Sequence, residues 1–217
     1  MSYLNKFEIE TSYGIKAWKR WGNTAEQIIK SNPYVLCIQG VDLSFSRADA
    51  VAAKSDIPAD SECRIKAGIT YILRQNADQG HTCLPLDSLV KTAVSYLDVD
   101  EKLIKKVIED ETEEENLYYY DKHGRRFVML ADFYKAEDYI ARRLAIMRQI
   151  SYDNKIDFSE VIDLEEENNG IHYEKIQREA INLALSKGFL VLTGGPGTGK
   201  TTTLNAIISL YLSLIHI

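Results

Sequence analysis

Eight residues near the C-terminal end, Gly194-Gly195-Pro196-Gly197-Thr198-Gly199-Lys200-Thr201, constrain this chain more than any other stretch. Glycine, four residues, then Gly-Lys-Thr is the spacing of a phosphate-binding loop. Glycines let backbone N–H groups curl around a β-phosphate with no side chain in the way, and the N-terminus of a following helix adds its dipole. Lys200 would reach the β- and γ-phosphates, and the Thr201 hydroxyl would ligate Mg²⁺. The apolar run Phe189-Leu190-Val191-Leu192-Thr193 before the loop reads as a buried strand, and the residues from Lys200 onward as a helix. The expected nucleotide-binding set is Gly194, Gly195, Pro196, Gly197, Thr198, Gly199, Lys200, Thr201 and Thr202, with Lys200 and Thr201 carrying the chemistry.

The formal charge of −6 provides no global basic field to attract nucleic acid, so DNA binding would need local basic patches. Cys37, Cys63 and Cys83 form no CxxC pair, and His81 beside Cys83 lacks further ligands, which argues against a zinc site. Scattered cysteines suit a reducing compartment. Residues 1–6 do not read as a signal peptide and no run of 18 apolar residues occurs, so the expectation is a cytoplasmic protein without a membrane partner.

Along the chain, residues 1–60 read as short helices joined by tight turns. Gly14 is expected to make one turn and Gly40-Val41 another, Thr24 to cap a helix running to Lys30, and Asn32-Pro33 to break it. Residues 61–135 carry three amphipathic patterns: Ile65, Ile69, Ile72 and Leu73; Leu86, Leu89, Val90, Ala93, Val94 and Leu97; then Leu103, Ile104, Val107 and Ile108. Two strand-like runs, 117–120 and 126–130, flank a glycine-containing hairpin loop. Three helices followed by a β-hairpin is the layout of a winged helix. Residues 136–170 read as a helix followed by an acidic surface linker, and 173–187 as a helix leading into the strand before the loop. Gln177 stands 17 residues before Gly194 and could hydrogen-bond an adenine edge as donor and acceptor.

The run Tyr173-Glu174-Lys175-Ile176-Gln177-Arg178-Glu179-Ala180, followed by Leu192-Thr193-Gly194-Gly195-Pro196-Gly197-Thr198-Gly199-Lys200-Thr201-Thr202-Thr203, resembles the start of the motor in RecD-like DNA helicases of superfamily 1. Upstream, Asn32-Pro33-Tyr34 with Leu36 and Arg47-Ala48-Asp49-Ala50 resemble the segments around that family's helix-hairpin-helix. Gly80-His81-Thr82-Cys83-Leu84-Pro85 resembles its GHT-x-LP turn. The resemblance implies ATP and Mg²⁺ as cofactors, DNA (single-stranded or at a junction) as partner, and Gln177 as the adenine-sensing glutamine. It also implies a mainly helical region of helix-hairpin-helix (1–60) and winged-helix (61–135) domains before the start of an α/β RecA-like motor at 171–217. One departure is plain. The hairpin at Gly40-Val41-Asp42-Leu43-Ser44-Phe45 lacks a second glycine and carries Asp42 where a phosphate would be gripped.

An ATP-dependent helicase also needs an acidic strand end, a transition-state arginine and a second motor lobe. None follows Thr201 here, so the chain is expected to be a piece of a 5′-to-3′ helicase of repair or recombination, inactive by itself. The closing Leu212-Ser213-Leu214-Ile215-His216-Ile217 reads as an in-frame sequencing-adapter end and is expected to be non-native. The alternatives are another P-loop ATPase, a nucleotide kinase, or a non-catalytic DNA-binding module. Secondary DNA-contact candidates are Arg125 and Arg126 at the hairpin tip, and Trp18 and Trp21, for which core packing is the stronger expectation. Lys102, Lys105 and Lys106 read as an exposed helix face, and Tyr118, Tyr119 and Tyr120 as strand residues.

Overall fold

A computed structural model describes residues 2–55, 57–150 and 158–215. The chain divides into two compact units, residues 1–135 and 136–217. None of the described helices is long and apolar enough to cross a membrane.

The first unit begins with short helices: α1 (Ser2–Asn5), α2 (Thr11–Trp21), α3 (Ala25–Ser31) and α4 (Phe45–Ala53), with a 3₁₀ turn over Pro33–Cys37 between the last two. Asn32 starts that turn by accepting the Tyr34 N–H at 3.0 Å, and Pro33 supplies the fixed φ of a first helical position. Gly14 makes no turn. It is buried in the middle of α2, one turn before the buried Ala17, so small size and not backbone freedom explains it. The turn at residues 38–43 is present, with Gly40 at φ +94° and Asp42 at φ +63°.

Next come α5 (Glu62–Asp78), β1 (Cys83–Pro85), α6 (Leu86–Leu97), α7 (Glu101–Glu113), β2 (Leu117–Lys122) and β3 (Arg125–Leu130). The apolar faces read from the 3.6-residue period are the buried ones: Ile65, Ile69, Ile72 and Leu73 on α5, Leu89, Val90, Ala93 and Leu97 on α6, Ile104, Val107 and Ile108 on α7. Gly68 lets α5 and α6 approach, since a Cβ there would meet Leu97 Cδ2 at 2.6 Å. Asp100 caps α7 by accepting the Lys102 N–H at 2.8 Å. The sheet is antiparallel in the order β1-β3-β2. His123 (φ +51°) and Gly124 (φ +73°) close β2 onto β3 in the left-handed conformation that two-residue hairpins favour.

β1 replaces what the sequence presented as a turn. Three residues are too few to show alternation, and Pro85 reads as a breaker. As an edge strand it tolerates a proline because one side of its backbone has no partner.

One ion-paired cluster ties α4 to α5. Arg64 donates to Asp49 Oδ1 at 2.7 Å and Oδ2 at 3.2 Å, and also reaches the carbonyls of Ala59 (2.7 Å) and Leu97 (2.8 Å). The Tyr34 hydroxyl donates to Asp49 Oδ1. Burial raises the Asp49 carboxyl, but the Arg64 and Tyr34 bonds outweigh it and hold its pKa below the ordinary 3.8.

The division between units falls within α8 (Ala131–Gln149), none of whose residues is buried. The second unit continues with α9 (Ser159–Asn169), α10 (Lys175–Ser186) and α11 (Lys200–Ile215). Its core is Phe158, Ile162, Tyr173, Ile181, Leu185, Ala206 and Leu210.

The sequence reading differs from the structure here in two places. Residues 159–169 are a helix and not a linker, because Phe158, Val161 and Ile162 form an apolar edge and Arg178 offsets Asp163 and Glu166. Residues 151–157 of that stretch, and His216 and Ile217 at the end, lie outside the described residues. Residues 189–193 form no strand, and Val191 is 67% exposed, so the buried strand is not found. A strand exists only by pairing its backbone with a neighbour. Among the described residues nothing pairs with this segment, and the unit is a helical cluster.

Candidate nucleotide-binding site

The loop lies between residue 193 and the first turn of α11. Gly197 (φ +75°) and Gly199 (φ +77°) occupy the left-handed region, which L side chains enter only with strain. Gly194 is required for a different reason: a Cβ there would sit 2.7 Å from Thr198 Oγ1. That hydroxyl donates to the Gly195 carbonyl at 2.9 Å and braces the loop. Gly195 faces open space. Its value is close backbone approach to a ligand.

Lys200 is the first residue of α11, and its ammonium folds back over the loop, donating to the carbonyls of Gly194 (2.7 Å) and Gly195 (2.5 Å). It forms no ion pair among the described residues; its partners there are two carbonyls and, at 3.5 Å, the Thr198 hydroxyl. An anion entering the loop would therefore meet an unmatched cation and a helix N-terminus together. Thr201 is exposed on the same turn, and Thr202 is half-buried beside it. No group of three or more His, Cys, Asp or Glu able to hold a metal occurs among the described residues.

Gln177 is placed directly against the loop. A Cβ on Gly199 would fall 2.1 Å from Gln177 Nε2, while Gln177 Oε1 accepts the Glu174 N–H at 2.9 Å. The helix start carrying Gln177 is itself fixed. Arg178 pairs with Glu166 (2.7 Å) and Asp163 (2.5 Å), and Glu166 accepts the Tyr173 N–H at 2.6 Å. That backbone bond, with Arg178 beside it, holds the Glu166 carboxyl below the ordinary carboxylate value.

Sequence reasoning missed these supports, and Thr203 as well. Thr203 is buried and donates to the Gly199 carbonyl at 3.0 Å, tying the loop's last glycine to α11. A threonine four residues after a glycine at a helix start is a weak signal for that back-bond.

The secondary candidates separate by exposure and pairing. Arg126 is tied to Asp121 (3.1 Å) and lies 4.9 Å over the Tyr119 ring, while Arg125 is exposed at the tip. Tyr118 stacks on Tyr134 at 4.1 Å, which occupies one face of its ring. Lys105 pairs with Glu101 at 2.6 Å. Trp21 packs half-buried against the core as expected, but Trp18 is 55% exposed, which overturns core packing for that residue. All three cysteines are free thiols, and burial pushes Cys37 up to about 12, far from a reactive thiolate.

Residues 1–83 match the family model described as the ATP-dependent RecD2 DNA helicase HHH domain. Residues 177–216, opening on Gln177 and containing the whole loop, match a model described as an AAA domain. The chain is RecD-like. Among curated relatives of this RecD-like chain, the RecBCD enzyme subunit RecD of Mycobacterium tuberculosis is 62% identical over 34 residues. That of Mycolicibacterium smegmatis is 62% identical over the same length. Each match covers 16% of this chain and 6% of the relative, so the chain spans a small fraction of the proteins it matches.

Proposed function

We propose that this chain carries the ATP-binding loop and DNA-contacting domains of an ATP-dependent helicase moving 5′ to 3′ on single-stranded DNA in repair or recombination. The observation that carries the reading is Lys200, whose ammonium lies on the Gly194 and Gly195 carbonyls at the start of α11 with no carboxylate paired to it among the described residues. In this reading Lys200 holds the β- and γ-phosphates, the exposed Thr201 hydroxyl holds Mg²⁺, and Gln177 reads the adenine from its position beside Gly199. Bound Mg²⁺ would neutralise charge on the phosphates. The match of residues 1–83 favours a helicase of the stand-alone RecD type over a nucleotide kinase.

We read α5-β1-α6-α7-β2-β3 as a winged helix, the element order being that of the class. Residues 189–193 are read as a strand of a parallel motor sheet. No Asp, Glu or Arg occurs among residues 202–217, so this chain alone should bind ATP while turning it over little. Calorimetric titration with ATP tests the reading. Binding should require Mg²⁺ and weaken at least about tenfold in Lys200→Ala, the loss of a charge-assisted phosphate contact. Equal affinity in the variant, or none in the parent, would refute it.

A further inference from the structure

The hairpin at residues 38–43 has its own anion. Asp42 sits at φ +63° and its Oδ1 accepts the Gly40 N–H at 3.0 Å, so a backbone donor that could face a phosphate is already bonded to a carboxylate. The hairpin is also fastened to α2. Lys16 Nζ reaches the Val41 carbonyl at 3.1 Å and Asp42 Oδ2 at 3.7 Å, and Arg20 reaches the Gln39 carbonyl at 3.4 Å. A phosphate brought against Asp42 would be repelled.

The neighbouring helix has the opposite character. α2 contains Lys16, Lys19 and Arg20 and no acidic residue. Helical spacing sets Ile15, Trp18 and Lys19 on one face, with Trp18 55% and Ile15 51% exposed. Lys19 forms no ion pair among the described residues, whereas Arg20, two positions on from Trp18 and so round the far side of the helix, is turned to the Gln39 carbonyl and the Trp21 ring. By contrast α7, the helix a winged helix would offer to a duplex, has three lysines against five carboxylates.

We propose that the exposed face of α2 is a single-stranded DNA platform on which Trp18 stacks a base while Lys19 holds a flanking phosphate. A flat indole beside an unpaired cation suits an unpaired base, whose face is open, better than a duplex, whose faces are stacked away. The proposal rests on the DNA-contacting reading above and assigns that contact to α2 in place of the hairpin.

Both tryptophans of the chain lie in α2, so intrinsic fluorescence reports on this face directly. In the full chain carrying Trp21→Phe, a poly-dT oligonucleotide should quench Trp18 saturably, and an equal-length duplex should not. By anisotropy of a labelled poly-dT, Trp18→Ala should bind about 5- to 150-fold more weakly, the worth of one stacked base, and Trp18→Phe should recover much of the loss. Lys19→Gln should reduce the log-log salt slope by about 0.7, the value for one single-strand phosphate contact, and Arg20→Gln should leave it unchanged. Those slopes decide the matter even if Trp18→Ala loses helical signal. Tight poly-dT binding with no quench and an unchanged slope in Lys19→Gln would overturn the α2 assignment while leaving DNA contact standing. No binding of poly-dT by the parent chain would overturn both.

Discussion

Replacing Gly199 with alanine tests the contact between Gln177 and the loop. Two costs are readable from the structure. The residue sits at φ +77°, and placing an L side chain there costs about 1–2 kcal/mol. The new Cβ would also lie 2.1 Å from Gln177 Nε2. Because that atom is the free end of a flexible side chain, Gln177 swings away and gives up its bond to the Glu174 N–H, about 1 kcal/mol. Together these give roughly 2–3 kcal/mol against the loop conformation seen here. If ATP requires that conformation, its dissociation constant should rise about 30- to 150-fold. The assay is titration with a fluorescent ATP analogue, with circular dichroism to confirm that the helices persist. Adding Gln177→Ala to Gly199→Ala should remove the clash but not the φ cost, leaving a coupling of about 1 kcal/mol in the double-mutant cycle. Unchanged affinity in Gly199→Ala, or a coupling of zero, would refute the argument.

Arg64→Ala removes four hydrogen bonds and leaves Asp49 without its cation. About 2–3 kcal/mol should be lost, less than for a fully enclosed pair because Asp49 keeps part of its surface in water, read as a lower urea midpoint at unchanged slope. The same cluster sets a pH dependence. The folded Asp49 carboxyl lies below 3.8, so its contribution is complete above that value and is lost as pH falls through the folded pKa. Asp49→Asn should flatten the acid limb of the midpoint-versus-pH curve, and an unaltered limb would show that other carboxylates carry it. Thr203→Val keeps the shape but deletes the bond to the Gly199 carbonyl, and should lower stability by about 1 kcal/mol with a similar proportional loss of nucleotide affinity. An effect on stability with none on affinity would separate Thr203 from the site.

The helices of residues 61–113 were legible because each carries one apolar stripe at a 3.6-residue period and the core needs only that stripe. β1 was not, since its three residues are defined by register with Met129, Val128 and Phe127, which no local pattern encodes. Gly14 was misjudged for a related reason. A glycine's sequence neighbours do not say whether it serves a positive φ or close packing, and only the buried surroundings of α2 decide. Trp18 shows the same limit from the other side. Its exposure follows from which face of an eleven-residue helix the rest of the unit covers.

The phosphate loop behaves differently because its requirements are mostly local. Positive φ at Gly197 and Gly199 and the Gly194–Thr198 contact are set within six residues, so the spacing alone implied the shape. What it could not imply was the support: Thr203 beneath the loop, and Gln177 brought to Gly199 by an α10 start that Arg178, Glu166 and Tyr173 hold in place. These contacts join positions 4 to 22 residues apart. Their logic is nonetheless physical and transferable. A loop whose backbone must stay strained and open needs rigid neighbours on both sides, and here one is a buried hydroxyl and the other an ion-paired helix start. Residues 189–193 mark where that logic stops. An apolar run that reads as a strand has no strand partner among the described residues and stands largely exposed, its backbone open to water.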